Sequence, residues 1–466
     1  MPKESYKKIQ KKITHKFSNV WEKSNVKDEI FDFGDKYKKF LDNSKTERLC
    51  FQEILEHAKE NGFKSIEKFD KLEIGDKVYI SHKKKSIIMS VIGQKEIENG
   101  LNIVGSHIDS PRLDLKPNPL YEDSNLSLMK THYYGGVRKY QWTTIPLAMH
   151  GVVMTKDNKK ITISIGEKED EPVFYITDLL PHLAKDQRKK KLKEAITGEG
   201  LNLVVGSIPL GDKEIDKKIK FNTLNILSEK YGITEKDFLS AEIEVVPAGK
   251  ARDVGFDRGL ISGYGHDDRV CAFAELEAIL DIDNPKKTAM AVFVDKEEIG
   301  SMGNTGAKSK FLNDTIAKFI NLQTDFNYLK LRNAFSNSKV LSADVGAGFD
   351  PTYPSVSEKN NSSKLGNGVQ LVKYTGSGGK YGCNDANAEF LGEIRNKFDQ
   401  NDIIWQVGEL GKVDQGGGGT IAFVLANEGA EVIDCGVPVL GMHAPFELIS
   451  KADLYMTYKA YNVFMK

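Results

Sequence analysis

The stretch RVCAFAELEAILDIDNPKKTAMAVFVDKEEIG, residues 269–300, decides the fold class. Val270, Phe273, Leu276 and Leu280 recur at three- and four-residue spacing, which predicts a helix from Arg269 to Leu280 with one apolar face. TAMAVFVD (288–295) follows as a strand-length apolar run that ends on acidic residues. The same alternation continues to the end of the chain. KVLSADVG (339–346) reads as a strand, ANAEFLGEIRNKF (386–398) as a helix, IIWQVGE (403–409) as a strand, TIAFVLANEG (420–429) as a helix and VPVLGMH (437–443) as a strand. A last helix opens at Ser450, where Ser450 and Asp453 make the S-x-x-D pattern of a capping box ahead of Leu454, Met456 and Tyr458. Such alternation predicts an α/β fold: a three-layer, mostly parallel sheet with helices on both faces.

Upstream, residues 1 to about 70 read as helices, with Ile9, Ile13, Phe17 and Trp21, and then Leu49, Ile54, Leu55 and Ala58, at helical spacing. VYISH (78–82), SIIMSVIG (86–93) and LNIVGSHID (101–109) read as strands. Between 113 and 254 short strand-like runs dominate, among them AMHGVVM (148–154), KITISIG (160–166), PVFYIT (172–177) and IEVVP (243–247). The expected organisation is a discontinuous catalytic domain, 1–112 and 255–466, interrupted by a β-rich domain at 113–254. The basic stretch AKDQRKKKLKEA (184–195) is expected to be a solvated loop or helix end.

The 466 residues carry 66 Lys+Arg and 66 Asp+Glu, a formal net charge of zero. Binding to nucleic acid or to an anionic membrane surface needs an excess of positive charge, so both are excluded as expectations. An apolar fraction of 40% with 28% charged residues fits a globular chain with more than one core. Cys50, Cys271, Cys383 and Cys435 are far apart, with no CxxC pair. MPKESYKKIQKKI at the start is not followed by the apolar run of a secretory signal, and no stretch reaches the roughly 20 apolar residues of a membrane span. The expected location is the cytoplasm.

Five segments set a metal-capable side chain beside an apolar strand. They are NIVGSHID (His107, Asp109), GYGHDDRV (Asp267, Asp268), VFVDKEEIG (Glu297, Glu298), VLSADVG (Asp344) and VPVLGMH (His443). A lone Asp after a strand is usually a turn residue; five segments with one placement point to a shared crevice outside the carboxyl ends of the strands. Two ions about 3.5–4 Å apart need a bridging carboxylate, with a His and a carboxylate on each ion, and these residues satisfy that count. Asp109, two residues after His107, is placed to accept an imidazole N–H and fix which nitrogen faces the metal. Of the adjacent Glu297 and Glu298, one can ligate while the other accepts a proton from the attacking water.

At these residues the chain resembles the aspartyl-aminopeptidase-like family of di-zinc metallopeptidases. The matching pieces are GSHIDSPRL (105–113), YYGG (133–136), LPHLA (180–184), VVPAGKARDVGFDRGLISGYGHDDR (245–269), DKEEIGSMGNTGA (295–307), SADVGAGFDP (342–351) and GMHAPFELISKADL (441–454). The resemblance implies metal ligands at His107, Asp267 (bridging), Glu298, Asp344 and His443, a general base at Glu297 and an orienting role for Asp109. It implies two divalent ions per subunit, zinc first with cobalt or manganese as alternatives, and peptide substrates that lose their N-terminal residue. It further implies that the β-rich insert builds oligomer contacts in a tetrahedral dodecamer. The alternatives are a deacylase or endopeptidase on the same fold, or a non-catalytic scaffold, which would be expected to have lost a ligand or the base.

The resemblance departs at two points. Asp186 stands where relatives often carry a second histidine four residues after His182, and QWTTIPLAMHG (141–151) keeps little of the stretch usual after YYGG. Both bear on specificity: Asp186 would favour a basic first residue, whereas Lys380 in GSGGKY (376–381) would favour an acidic one. GSGGKY is not a phosphate loop, because Tyr381 follows Lys380 where Ser or Thr is required. The glycines of QGGGGT (415–420) are candidates for a substrate backbone contact. His266, beside Asp267, is expected to be structural, since one turn rarely aims two side chains at one metal; His15, His57, His82, His132 and His150 are expected to be structural or solvated.

Overall fold

The computed structural model describes residues 6–466, so the first five residues of the expected N-terminal helical region lie outside the described residues. Its frame is a nine-stranded sheet, in the order Lys64–Ser65, Lys77–His82, Ser86–Val91, Ala289–Val294, Asn102–His107, Lys339–Ser342, Glu431–Gly436, Val369–Val372, Trp405–Val407. The sheet is mixed. Five of its eight pairings are parallel, and the four central strands from Ala289–Val294 to Glu431–Gly436 are parallel throughout.

Successive residues of the strand Ala289–Val294 point to opposite faces, and both faces are buried, so it is apolar at every position. Ala289, Ala291 and Phe293 enter one core, shared with helices Lys27–Asn43, Glu47–Glu60, His266–Leu280, Ala388–Gln400 and Lys451–Met465. Met290, Val292 and Val294 enter the other, shared with helices Phe311–Gln323, Tyr328–Ser336 and Ala422–Asn427.

Three local expectations are corrected. His266–Leu280 is buried on every side rather than on one face, because it lies between the sheet and the helices Lys27–Asn43 and Lys451–Met465; Arg269, Cys271 and Glu275 are buried with the apolar residues. The N-terminal helix ends at Ile13, with Ile13 exposed, and Asn19 starts a separate turn by accepting a hydrogen bond from the Trp21 amide. The capping box at Ser450 is half formed. Ser450 accepts from the Ala452 amide, but Asp453 turns away and accepts from the Gly366 and Gly368 amides, both at 2.7 Å.

A second sheet of seven strands occupies Arg112–Pro247 and has its own core, centred on Leu113, Trp142, Leu147, Leu203 and Val245. The next strand, Arg252–Val254, pairs instead within a five-stranded sheet with Leu260–Gly263, Glu447–Ser450, Pro438–Leu440 and Gly346–Ala347. No helix among the described residues is long and apolar enough to cross a membrane.

Candidate metal centre

His107 ends its strand in register with Val294 of the neighbouring strand. Glu297 and Glu298 follow Val294 in a short 3₁₀ turn, and Asp344 lies just past the strand Lys339–Ser342. Adjacent parallel strands thus bring three of the five segments to one edge. The other two arrive from the five-stranded sheet. Asp267 follows Leu260–Gly263 at the start of the buried helix, and His443 follows Pro438–Leu440.

Asp267 lies between the two histidines. Its Oδ1 is 3.2 Å from His107 Nε2 and its Oδ2 is 3.3 Å from His443 Nε2. Asp344 Oδ1 stands 3.8 Å from His107 Nε2, and Glu298 Oε2 stands 3.5 Å from His443 Nε2. Glu297 Oε2 is 3.9 Å from His107 Nε2. Two ligands on one tetrahedral zinc, each about 2.0–2.1 Å from it, stand roughly 3.3 Å apart. The triads His107–Glu297–Asp344 and His107–Asp267–Glu298 each have donor atoms within 4.8 Å of one another.

Neighbouring groups fix these side chains. His107 Nδ1 faces the Asp109 carbonyl at 3.0 Å and its Oδ1 at 3.3 Å, and His443 Nδ1–H donates to the Gly136 carbonyl at 2.8 Å. Each ring therefore turns Nε2 towards Asp267. The Asp109 carboxylate also accepts from the Glu297 and Glu298 amides at 3.1 and 3.3 Å, and from the Tyr134 hydroxyl at 2.8 Å. Glu447 accepts from the Asp267 amide at 3.0 Å and from the His443 amide at 2.7 Å.

The site is short of positive charge. Burial raises Glu298 and Asp344 above the usual carboxylate range and, with Asp344 and Asp109 nearby, pushes Glu297 up to about 8 despite His107. Burial would also raise Asp267, but His107 and His443 outweigh it and hold the carboxyl low. The carboxylates in turn raise His443 to about 10 against the effect of burial. Asp267 Oδ1 and Glu298 Oε1 are buried without a hydrogen bond, an arrangement that is costly unless a cation completes them. The donor set, its spacing and its charge fit divalent metal.

The centre opens into a cavity of ≈ 420 Å³ lined also by Lys308, Gln370, Phe423, Asp434 and the Gly417–Thr420 part of the glycine loop. Lys380 does not line it; its ammonium pairs with Asp385 at 2.8 Å and lies 3.9 Å from the centroid of the Tyr374 ring, beside a neighbouring hollow. Asp186 is exposed, paired with Lys189 at 3.2 Å. His266 is buried and structural: Tyr37 donates to Nδ1 at 2.6 Å, Nε2–H meets the Ile261 carbonyl, and burial lowers the ring to about 3. Sequence reasoning assigned no role to Tyr134, Gly136, Glu447, Lys308 or Asp434. The first three lie in YYGG and GMHAPFELISKADL, but a single Tyr, Gly or Glu has no spacing from which to read its partner, which lies 25 positions from Tyr134 and 307 from Gly136.

The family model "Aminopeptidase I zinc metalloprotease (M18)" matches residues 40–465. A probable M18 family aminopeptidase 1 of Clostridium acetobutylicum is 52% identical over 459 residues, covering 97% of this chain and 99% of that protein. The crystal structure of an M18 aminopeptidase from Thermotoga maritima superposes with a TM-score of 0.94 at 48% identity, covering 97% of this chain and all of that one. The fold extends to the yeast mApe1 dodecamer, with a TM-score of 0.75 at 20% identity over 93% of this chain and 96% of that one. A match this long, at this identity, on a chain whose crevice gathers side chains able to hold a metal leads to one conclusion: the chain belongs to the M18 aminopeptidase I family of zinc metalloproteases and is a zinc aminopeptidase.

Proposed function

We propose that this aminopeptidase works with two zinc ions, one held by His107, Asp267 and Asp344, the other by His443, Asp267 and Glu298. The observation that carries this reading is the Asp267 carboxylate, which offers a different oxygen to each histidine. Charge supports it. Asp109, Asp267, Glu297, Glu298 and Asp344 crowd their carboxylates together, with Asp268 and Glu447 on the backbone amides beside them, and buried charge needs pairing, which two divalent ions supply better than one. When bound, the zinc pair supplies Lewis acidity, lowering the pKa of water and polarising the scissile carbonyl. Glu297, beside the ligands but not needed to complete either set, accepts the proton of the attacking water and returns it to the leaving amine. Asp109 holds His107 and the turn that carries Glu297.

We further propose an acidic first residue in the substrate, met by Lys308, which among the described residues is the one Lys or Arg lining the cavity. The strand-rich segment 113–254 is read as an inserted oligomerisation domain, its sheet ending at Pro247, and the assembly as a homo-dodecamer like the one named for yeast mApe1. Val173, Leu179, Leu180 and Leu183 are half or more exposed on the insert, as apolar contact surfaces are before assembly. Four free cysteines suit a reducing cytoplasm.

Metal analysis of the purified chain tests the central claim. Two zinc ions per chain are expected, with both reduced by Asp267→Ala and one reduced by His443→Ala. A single ion in the wild type, at full activity and saturating zinc, would sink the two-metal reading. Lys308→Ala should lower kcat/KM at least tenfold on Asp-terminated peptides while leaving Leu-terminated ones nearly unchanged; equal losses on both would refute the acidic preference.

A further inference from the structure

The strand Leu126–Tyr134 belongs to the seven-stranded sheet, yet the chain leaving it runs into the metal centre. Three consecutive residues there each approach a different site residue. Tyr134 Oη donates to Asp109 Oδ2 at 2.8 Å. A Cβ at Gly135 would lie 3.3 Å from Glu298 Oε2. The Gly136 carbonyl accepts from His443 Nδ1 at 2.8 Å.

Tyr134 is itself held. The Arg112 guanidinium lies 3.8 Å from the centroid of its ring. Arg112 is nearly buried and pairs with Glu244 of the insert at 3.2 Å and with Glu47, from the helix Glu47–Glu60, at 3.6 Å. A cation stacked on a ring and anchored to both bodies leaves the hydroxyl few alternative positions.

We propose that Tyr134 is a positioning residue, and that the segment Tyr134–Gly136 makes the inserted sheet part of the metal centre by orienting a ligand for each ion. This rests on the two-zinc reading. On the His107 side the hydroxyl acts through Asp109, whose carboxylate also carries the Glu297 and Glu298 amides. On the His443 side the Gly136 carbonyl fixes the ring nitrogen directly. Groups that orient metal ligands in this way are each worth about 10–100-fold in metal affinity or activity.

The test measures zinc affinity of the full chain by chelator competition, together with kcat and KM. Tyr134→Phe should weaken zinc by about 10–100-fold and lower kcat, with KM within about twofold; the neighbouring Tyr133→Phe, on an exposed ring, should change neither. Gly136→Ala would set a Cβ 3.0 Å from His443 Nδ1 and should weaken zinc independently. In an Asp109→Asn background, Tyr134→Phe should add little further loss, because both act through one carboxylate. Wild-type zinc affinity and kcat in Tyr134→Phe, or fully additive losses in the double variant, would overturn the proposal. If instead the wild type held a single ion at full activity and saturating zinc, the two-zinc reading itself would have failed.

Discussion

A carboxylate that serves two cations must keep both oxygens turned to them, and on the two-zinc reading Asp267 is suited to this because its backbone is held by another group. Glu447 accepts from the Asp267 amide with one oxygen and from the His443 amide with the other, so a single buried side chain spaces two of the proposed ligands. Glu447→Gln would turn an NH₂ group towards one of those amides. The expected result is a stability loss of about 1–3 kcal/mol with weaker zinc binding, read by thermal unfolding and chelator competition. Glu297→Gln should behave in the opposite way. It keeps the shape and the zinc but removes the proton acceptor, so kcat should fall by about 10²–10⁴ while metal analysis still finds two ions.

Among the elements, the helices Lys27–Asn43 and Lys451–Met465 meet the strand Arg252–Val254 at one carboxylate. Asp253 pairs with Lys38 at 2.7 Å, Arg258 at 2.6 Å and the buried Lys451 at 2.9 Å. Burial alone would raise its pKa, but these cations outweigh it and hold the carboxyl below the ordinary aspartate range. Such a group contributes stability above the unfolded aspartate pKa of about 3.9, and that stability is lost as pH falls towards the lower folded value. Asp253→Asn strands the Lys451 charge and should cost about 3 kcal/mol. The gap between wild type and variant should stay constant from about pH 5 to 8 and close only in stronger acid, which urea unfolding at several pH values would show. Elements of this kind explain what the sequence could reveal. TAMAVFVD was legible as a strand because burial on both faces leaves an unbroken apolar run, and the run carried Glu297 and Glu298 with it. The helix at His266 looked one-faced because Arg269 and Glu275 are not apolar, although tertiary packing buries both. Ser450 and Asp453 matched a capping pattern, but two distant glycine amides won the aspartate. Local pattern does not report which partner prevails. The same limit hid the five-stranded sheet that delivers Asp267 and His443, since its strands are very short and Leu260–Gly263 pairs with Glu447–Ser450 across nearly two hundred positions.

At the scale of the molecule, the exposed apolar residues of the insert set an expectation for assembly. Light scattering at micromolar concentration should give a mass near twelve chains, and Leu180→Asp with Leu183→Asp should shift it to smaller species; a stable wild-type monomer would contradict the dodecamer. Chelation should abolish peptidase activity, with zinc restoring it, and acetylating a peptide's N-terminus should stop its cleavage. The five metal-capable segments also have a chronology. Their order along the chain runs from His107, through the insert that carries Tyr134, to Asp267, Glu298, Asp344 and finally His443. Chains emerge from the ribosome N-terminus first, so on the two-zinc reading the ligands of one ion are complete at Asp344, while those of the other wait for His443. On that reading a chain made only as far as Asp344 is an inert one, and the cell does not meet this peptidase as an active enzyme until His443 has followed.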